Sequence, residues 1–143
     1  MVRGRLPVAG MRERLGIGDP SSMDLTCLIV DDNLPFLESA SELLGREGLE
    51  VVGVASSSTE AIRLASELRP DVTLVDIDLG EEDGFELARR LSLASGAATR
   101  VILVSTHSEQ DLGELIAASP ALGFIQKTRL SASTIRATLE RAA

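Results

Sequence analysis

The chain alternates between short apolar runs and longer segments in which apolar residues recur at helical spacing. Five runs rich in Val, Ile and Leu occupy residues 25–30, 50–54, 72–75, 100–104 and 122–125. Short apolar runs of this kind are typical of strands buried in a parallel sheet. Their order predicts five strands distributed along the chain from residue 25 onward.

The segments that follow these runs predict amphipathic helices, because their apolar residues return every three or four positions. The side chains predicted to face the core are, helix by helix, Phe36, Ala40, Leu43 and Leu44; Ala61, Ile62, Ala65 and Leu68; Phe85, Ala88 and Leu91; Leu112, Leu115 and Ile116; and Ile135, Thr138 and Leu139. Ser108 to Asp111 resemble a capping box at the start of the fourth helix. Parallel strands need crossover connections, so this alternation predicts a doubly wound five-stranded parallel α/β sheet with five helices.

Residues 1–24 differ in composition from the remainder of the chain. They contain four arginines, four glycines and two prolines, and such frequent Gly and Pro positions exclude a long regular element. We expect a flexible N-terminal tail at 1–24 and one domain at 25–143. Met11 and Met23 are alternative start positions, so the sequence leaves open whether residues 1–22 are translated.

Composition excludes several classes of function. The formal net charge is -8, and a protein that binds nucleic acid through its phosphates needs a basic surface instead. No apolar stretch approaches the ~20 residues of a membrane span. The single cysteine, Cys27, lies within the first apolar run, where we expect a buried, inert thiol in a reducing compartment. These features predict a cytoplasmic protein.

Polar residues stand at the carboxyl ends of four of the predicted strands. They are Asp31 and Asp32, Asp76, Ser105, and Lys127. The carboxyl ends of parallel strands meet at one edge of the sheet, and open α/β sheets bind their ligands at that edge. The pattern therefore predicts that these side chains form one site.

The residue types at this edge favour phosphoryl chemistry on an aspartate. Adjacent carboxylates resist ionisation unless a cation neutralises them, and Mg²⁺ prefers carboxylate oxygens. Asp76 could then attack phosphorus as a nucleophile. Ser105 and Lys127 offer a hydrogen bond and a positive charge to the phosphoryl oxygens, and Asp78 offers its backbone carbonyl to the metal. The alternatives are an acidic pair that caps a helix, a solvated acidic loop and a surface lysine.

Taken together, five segments resemble the receiver domain of response regulators, the phospho-acceptor module of two-component signalling. The segments are Val30 to Asn33, Asp71 to Leu79, Asp83-Gly84, Val101 to Ser105 and Ala121 to Lys127. They follow the order and approximate spacing of that family over residues 25–142. The resemblance implies a flavodoxin-like three-layer sandwich with strand order 2-1-3-4-5.

The resemblance also implies roles for individual residues. Asp76 would accept a phosphoryl group from a phosphohistidine on a sensor kinase or phosphotransfer protein. Asp32 and Asp76 would hold Mg²⁺ directly, Asp31 through water and Asp78 through its carbonyl. Ser105 and Lys127 would bind the phosphoryl oxygens. We read such a domain as a phospho-acceptor rather than an enzyme.

For signal output, the resemblance points to a conformational switch. Ser105 and Phe124 would be the switch residues, and the alternative for Phe124 is an ordinary core residue. The change would reach the face formed by the fourth helix, fifth strand and fifth helix. That face would contact a downstream protein or an output domain, and a homodimer is a further expectation for it. The domain itself would bind neither nucleic acid nor a membrane.

Two alternatives stand beside this interpretation. Asp76-Ile77-Asp78 resembles the nucleophile and acid pair of haloacid-dehalogenase-type phosphatases, although that motif normally opens their fold. The other alternative is a degenerate receiver that binds partners without phosphate. The intact acidic cluster argues against the second.

Overall fold

The computed structural model describes residues 25–93 and 99–142. The predicted tail at 1–24 lies outside the described residues. Five strands form one sheet: β1 (Thr26–Val30), β2 (Glu50–Ala55), β3 (Val72–Asp76), β4 (Arg100–Ser105) and β5 (Gly123–Gln126). Each predicted strand is present, with ends shifted by no more than one residue.

Five helices connect and follow the strands. They are α1 (Leu34–Arg46), α2 (Ser58–Leu68), α3 (Gly84–Leu93), α4 (Glu109–Ala117) and α5 (Ala132–Ala142). A two-residue hairpin, Asp78–Leu79 with Glu82–Asp83, follows β3, and a 3-10 turn at Lys127–Arg129 follows β5. None of the described helices combines the length and apolarity that a membrane crossing requires.

The sheet is parallel throughout, with strand order β2-β1-β3-β4-β5. The predicted fold class and strand order are therefore confirmed. Because β1 and β3 are neighbours with helices on opposite faces, the chain reverses its winding direction between them. That switch point opens a crevice at the carboxyl edge of the sheet.

Two apolar clusters lie on the two faces of the sheet. Alternate residues of β1 divide between them: Cys27 and Ile29 pack with α1 and α5, and Leu28 and Val30 pack with α2 and α3. This alternation follows from the two-residue period of a strand. Burial raises the pKa of the Cys27 thiol to about 12, so the thiolate is scarce and the thiol is inert, as expected.

Helix α4 departs from the sequence prediction. Leu115 was expected in the core, but it is 55% exposed, and no residue of α4 is buried. The predicted capping box is also wrong: the Ser108 hydroxyl donates to the Asp111 carboxylate instead of capping a backbone amide. The physical reason is that α4 packs at the sheet edge beside the four-residue strand β5, where there is too little sheet to cover a whole apolar face.

Candidate functional site

The polar residues that follow the strands meet at one edge of the sheet. The registers place Val30 beside Val75, Asp76 beside Val104, and Ser105 beside Gln126. The strand ends are therefore level with one another. Asp31, Asp76, Ser105 and Lys127 all leave the sheet at this edge.

Three carboxylates cluster there. One oxygen from each of Asp31, Asp32 and Asp76 lies within 4.8 Å of the other two. Asp31 and Asp76 are buried, with exposed fractions of 0% and 4%, whereas Asp32 is exposed. The cluster is thus a cup with two buried walls and one side open to solvent.

The donor set fits a hard divalent cation. The buried Oδ2 of Asp31 has no hydrogen-bond partner among the described residues. Lys127 Nζ lies 2.6 Å from it and forms an ion pair with it. Carboxylate oxygens with open solvent positions beside them are what Mg²⁺ uses in proteins, because it keeps several of its waters.

Asp76 sits in an environment that resists its ionisation. Burial, and then the neighbouring Asp31 carboxylate, raise the pKa of Asp76 to about 6. The backbone amide of Asp78, which donates to Asp76 Oδ1 at 3.2 Å, and the charge of Lys127 act in the opposite direction. A cation in the cup would favour the ionised, nucleophilic form.

Lys127 is held by two carboxylates and one aromatic ring. Its ammonium lies 2.6 Å from Asp31 Oδ2, 3.3 Å from Asp76 Oδ2 and 4.3 Å from the centroid of the Phe36 ring. Burial lowers the pKa of Lys127, but the contacts with Asp31 and Asp76 outweigh burial and raise it overall. The side chain is therefore a fixed positive charge beside Asp76.

The loop after β3 approaches the site closely. Gly80 has φ +66° at the hairpin turn, and a Cβ there would lie 3.1 Å from Asp32 Oδ2. Asp83 caps α3 by accepting a hydrogen bond from the amide of Phe85. The Asp78 side chain is exposed and points away from the cluster, with Oδ2 3.6 Å from His107 Nε2. Its carbonyl as a metal ligand stays a prediction.

The two predicted switch residues lie beside the site but not within the charged cluster. Ser105 is buried, and its hydroxyl oxygen accepts a hydrogen bond from the amide of His107 at 3.0 Å. Its own proton remains available for an acceptor in the crevice. Phe124 is partly buried and packs against the cluster that β1 shares with α2 and α3.

Two structural features of the site were missed by reasoning from the sequence. Phe36 was assigned to the core, and the contact between its ring and the Lys127 ammonium was not foreseen. Gly84 was noted only as part of the Asp83-Gly84 segment, but a Cβ there would clash with the carbonyl oxygen of Asp76. The available signal was position: both residues lie in the first turn of a helix that begins at the carboxyl edge of the sheet.

Comparison with protein families and sequences gives a consistent result. The family model of the response regulator receiver domain matches residues 27–140. The chain is 29% identical over 100 residues to the transcriptional regulatory protein PdtaR of Mycobacterium tuberculosis, covering 70% of this chain and 48% of PdtaR. It is 33% identical over 101 residues to the response regulator GacA of Pseudomonas aeruginosa, covering 70% of this chain and 47% of GacA. The chain thus spans about half the length of these relatives.

Solved structures of similar fold are receiver domains as well. The signal receiver domain of NarL from Mycobacterium tuberculosis superposes with a TM-score of 0.71 at 27% identity, covering 84% of this chain and 97% of that domain. The chemotaxis protein CheY4 of Vibrio cholerae gives 0.70 at 26% identity, covering 85% of this chain and all of CheY4. Since the family model spans most of the chain and includes every strand-end residue of the acidic site, the chain belongs to the response-regulator receiver domains of two-component signalling.

Proposed function

We propose that Asp76 accepts a phosphoryl group from a phosphohistidine of a sensor histidine kinase or phosphotransfer protein. The observation that carries this proposal is the surroundings of one carboxylate. Asp76 is 4% exposed, Lys127 Nζ lies 3.3 Å from its Oδ2, and Asp31 and Asp32 complete a cluster within 4.8 Å. An aspartate with a purely structural role does not require two further carboxylates beside it.

The proposed reaction is a displacement at phosphorus. One carboxylate oxygen of Asp76 forms a bond to phosphorus as the phosphorus–nitrogen bond of the phosphohistidine breaks, and the imidazole leaves with the bonding electron pair. The product is an acyl phosphate on Asp76. A bound Mg²⁺ would supply neutralisation of the crowded negative charge. We assign this ion to the carboxylates of Asp32 and Asp76, to Asp31 through water and to the Asp78 carbonyl.

The remaining polar groups stabilise charge on the transferred phosphoryl group. The Lys127 ammonium is near enough to Asp76 to reach a phosphoryl oxygen after a small movement. The Ser105 hydroxyl, which uses its oxygen as an acceptor for His107, can donate its proton to a second phosphoryl oxygen. Donors fixed in place before the reaction are effective because they need little reorganisation in the transition state.

We propose that the signal leaves through α4, β5 and α5. Ser105 and Phe124 are the switch residues, and Phe124 lies on β5 with its ring against the same apolar cluster as Leu112 and Ile116 of α4. A shift of Ser105 toward the phosphoryl group would alter how these side chains pack. A downstream protein, an output domain or a second copy of the chain would read that face.

The protein's wider role follows from the same proposal. Receiver domains act with histidine kinases or phosphotransfer proteins and with output domains. In this proposal the kinase or phosphotransfer protein donates the phosphoryl group, and this domain accepts it rather than acting as an enzyme on a separate substrate. The net charge of -8 supports a role without direct nucleic-acid binding. The single buried cysteine supports a cytoplasmic location, where thiols remain reduced.

Intact mass spectrometry tests the acceptor role. The protein is incubated with a small phosphodonor such as acetyl phosphate, with Mg²⁺ and with EDTA, in parallel with Asp76→Asn and Asp83→Asn. Asp83 is the matched control because it is an exposed carboxylate of the same loop, and asparagine can retain its capping role.

We expect one phosphoryl adduct on the parent and on Asp83→Asn, dependent on Mg²⁺, and none on Asp76→Asn. No adduct on any of the three would favour a module that binds partners without phosphate. Steady release of inorganic phosphate from a simple phosphomonoester would favour the phosphatase alternative.

A further inference from the structure

The ring of Phe36 completes the pocket of the Lys127 ammonium. The ammonium lies 4.3 Å from the ring centroid, well within the distance at which a cation is attracted to the face of an aromatic ring. The Lys127 side chain is 13% exposed, so water competes little for this contact. Attraction to the ring is strongest when the cation is desolvated in this way.

A closed circuit of contacts fixes the ring in place. Asp31 Oδ1 accepts from the amide of Asn33 at 2.9 Å, and Asn33 Oδ1 accepts from the amide of Phe36 at 3.0 Å. The Phe36 ring contacts Lys127, and Lys127 returns to Asp31 through Oδ2. The first turn of α1 is therefore linked to Asp31 twice, through the hydrogen bonds of Asn33 and through Lys127.

The two carboxylate partners of Lys127, Asp31 and Asp76, are also the groups that would interact with a bound cation and carry the phosphoryl group. When a divalent cation neutralises part of the charge on the Asp31 carboxylate, the attraction between the ammonium and Asp31 Oδ2 becomes weaker. When Asp76 carries a phosphoryl group, the carboxylate that the ammonium now contacts at 3.3 Å becomes part of an acyl phosphate, and its two carboxyl oxygens then carry little charge. Of the three partners that the ammonium has among the described residues, only the ring is unaffected by either event.

We propose that Phe36 is a positioning residue, which keeps the Lys127 ammonium over the acceptor while Asp31 is engaged by the metal. The inference rests on the proposed phospho-acceptor function and adds a residue to it. An aromatic face suits this task because it attracts a cation without a formal charge that would bind the metal, and without a lone pair that would compete for it. It therefore holds the ammonium and releases it to a phosphoryl oxygen.

The test compares Phe36→Leu with Phe36→Tyr. Leucine keeps apolar bulk but removes the ring, whereas tyrosine keeps the ring. Phe85→Leu is the matched control, because Phe85 is a partly buried phenylalanine on α3. We measure the dissociation constant for Mg²⁺ and the phosphorylation rate with acetyl phosphate at saturating Mg²⁺. We also measure the effect of Phe36→Leu in a Lys127→Met background.

We expect Phe36→Leu to lower the phosphorylation rate by about 3- to 30-fold, with the Mg²⁺ dissociation constant changed by less than about twofold. Phe36→Tyr should keep the parental phosphorylation rate because it keeps the ring, and Phe85→Leu should leave that rate unaltered. In the Lys127→Met background Phe36→Leu has no further effect, because the ring then has no cation to hold. An unchanged rate in Phe36→Leu, or an equal loss with and without Lys127, would overturn the proposal.

A second measurement does not depend on phosphorylation. Lys127 is the only lysine in the sequence, so selective ¹³C-lysine labelling gives one side-chain signal by NMR. The ring current of Phe36 should shift the Lys127 ε-methylene protons upfield in the parent and in Phe36→Tyr, but not in Phe36→Leu. The shift should persist when Mg²⁺ is added.

The two measurements separate the two proposals. An upfield shift that disappears on Mg²⁺ binding would overturn the positioning role, even if the parent is phosphorylated normally. A parent that takes no phosphate, with the shift intact in Mg²⁺, would overturn the phospho-acceptor function and with it the role of Phe36 in that reaction.

Discussion

The chemistry of the site depends on one buried carboxyl group whose ionisation is unfavourable without a cation. Asp76 has its pKa raised to about 6 by burial and by Asp31. In the native metal-free protein this carboxyl group holds a proton over a pH range in which the unfolded chain, with the usual pKa of 3.8, has released it. Asp76 is therefore a local source of instability at neutral pH.

This shift predicts how the stability of the metal-free protein depends on pH. Since the native state binds the additional proton between about pH 4 and about pH 6, the contribution of Asp76 to the free energy of unfolding falls as pH rises through that window. Asp76→Asn removes the effect. We expect this variant to be more stable than the parent by about 1–3 kcal/mol at pH 7.5 in EDTA, and by close to zero at pH 4.

Urea unfolding at several pH values measures the difference. Asp83→Asn, which removes an exposed carboxylate from the same loop, controls for the change in net charge. A stability difference between the parent and Asp76→Asn that stays constant from pH 4 to pH 7.5 would contradict the raised pKa.

Strand-end position was enough to predict which charged side chains converge. Asp31, Asp76 and Lys127 each follow an apolar strand, and parallel strands deliver such residues to a common edge. It was not enough to predict their partners. The pairing of Lys127 with Asp31 at 2.6 Å and with the ring of Phe36 depends on rotamers and on the entry angle of α1, which no local pattern encodes.

Among the secondary-structure elements, the junction of β3 and α3 is the tightest part of the site. Gly84, the first residue of α3, donates its amide to the carbonyl of Ile77 at 2.9 Å. A Cβ at Gly84 would lie 2.1 Å from Asp76 O and 2.7 Å from Ile77 Cα. Both neighbours are backbone atoms, so neither can move aside without displacing the end of β3 that carries Asp76.

Gly84→Ala should therefore be strongly destabilising, by about 3 kcal/mol or more. Gly113→Ala is the matched control: it lies within α4 with nothing within 4 Å of the added Cβ. There alanine should stabilise by up to about 1 kcal/mol through its helix propensity. Chemical denaturation of both variants measures the contrast, and equal stabilities would show that the junction is looser than described.

Helix α4 shows the limit of periodicity as a guide to burial. The spacing of Leu112, Leu115 and Ile116 correctly indicates an amphipathic helix, but the depth to which its apolar face is covered depends on the sheet beneath. The neighbouring strand β5 has four residues and lies at the sheet edge, so Leu115 remains exposed. For α1 and α5 the pattern performed better: Ala40 and Leu44 of α1 and Ile135, Thr138 and Leu139 of α5 are buried.

At the scale of the whole molecule, the charge state of the acidic cluster affects the free energy of unfolding of the domain. The fold brings Asp31, Asp32 and Asp76 together at the switch point, where burial and the Asp31 carboxylate disfavour the ionised form of Asp76. The doubly wound parallel sheet was predictable from the alternation of strands and helices, whereas the strand order was predicted from the resemblance to receiver domains. The effect of the acidic cluster on the free energy of unfolding was not predictable from the sequence, because it depends on how deeply each carboxylate is buried.

A cation that binds the native cluster should stabilise the whole domain. Mg²⁺ at about 100 times its dissociation constant should raise the free energy of unfolding by about 2.7 kcal/mol. Asp32→Asn should greatly reduce this gain, whereas Glu81→Gln, at an exposed acidic residue of the same edge, should retain it. Thermal unfolding with NaCl at matched ionic strength as the reference measures the effect. A gain that is equal in Asp32→Asn would place the cation elsewhere.

The most direct test of the proposed function is to locate the acyl phosphate chemically. The protein is phosphorylated with acetyl phosphate and Mg²⁺ and treated with borohydride, which reduces an aspartyl phosphate to homoserine, and its peptides are sequenced by mass spectrometry. We predict homoserine at position 76 and aspartate at positions 31, 32, 78 and 83. Homoserine at another aspartate, or at none when an intact-mass adduct is present, would contradict the assignment of Asp76 as the acceptor.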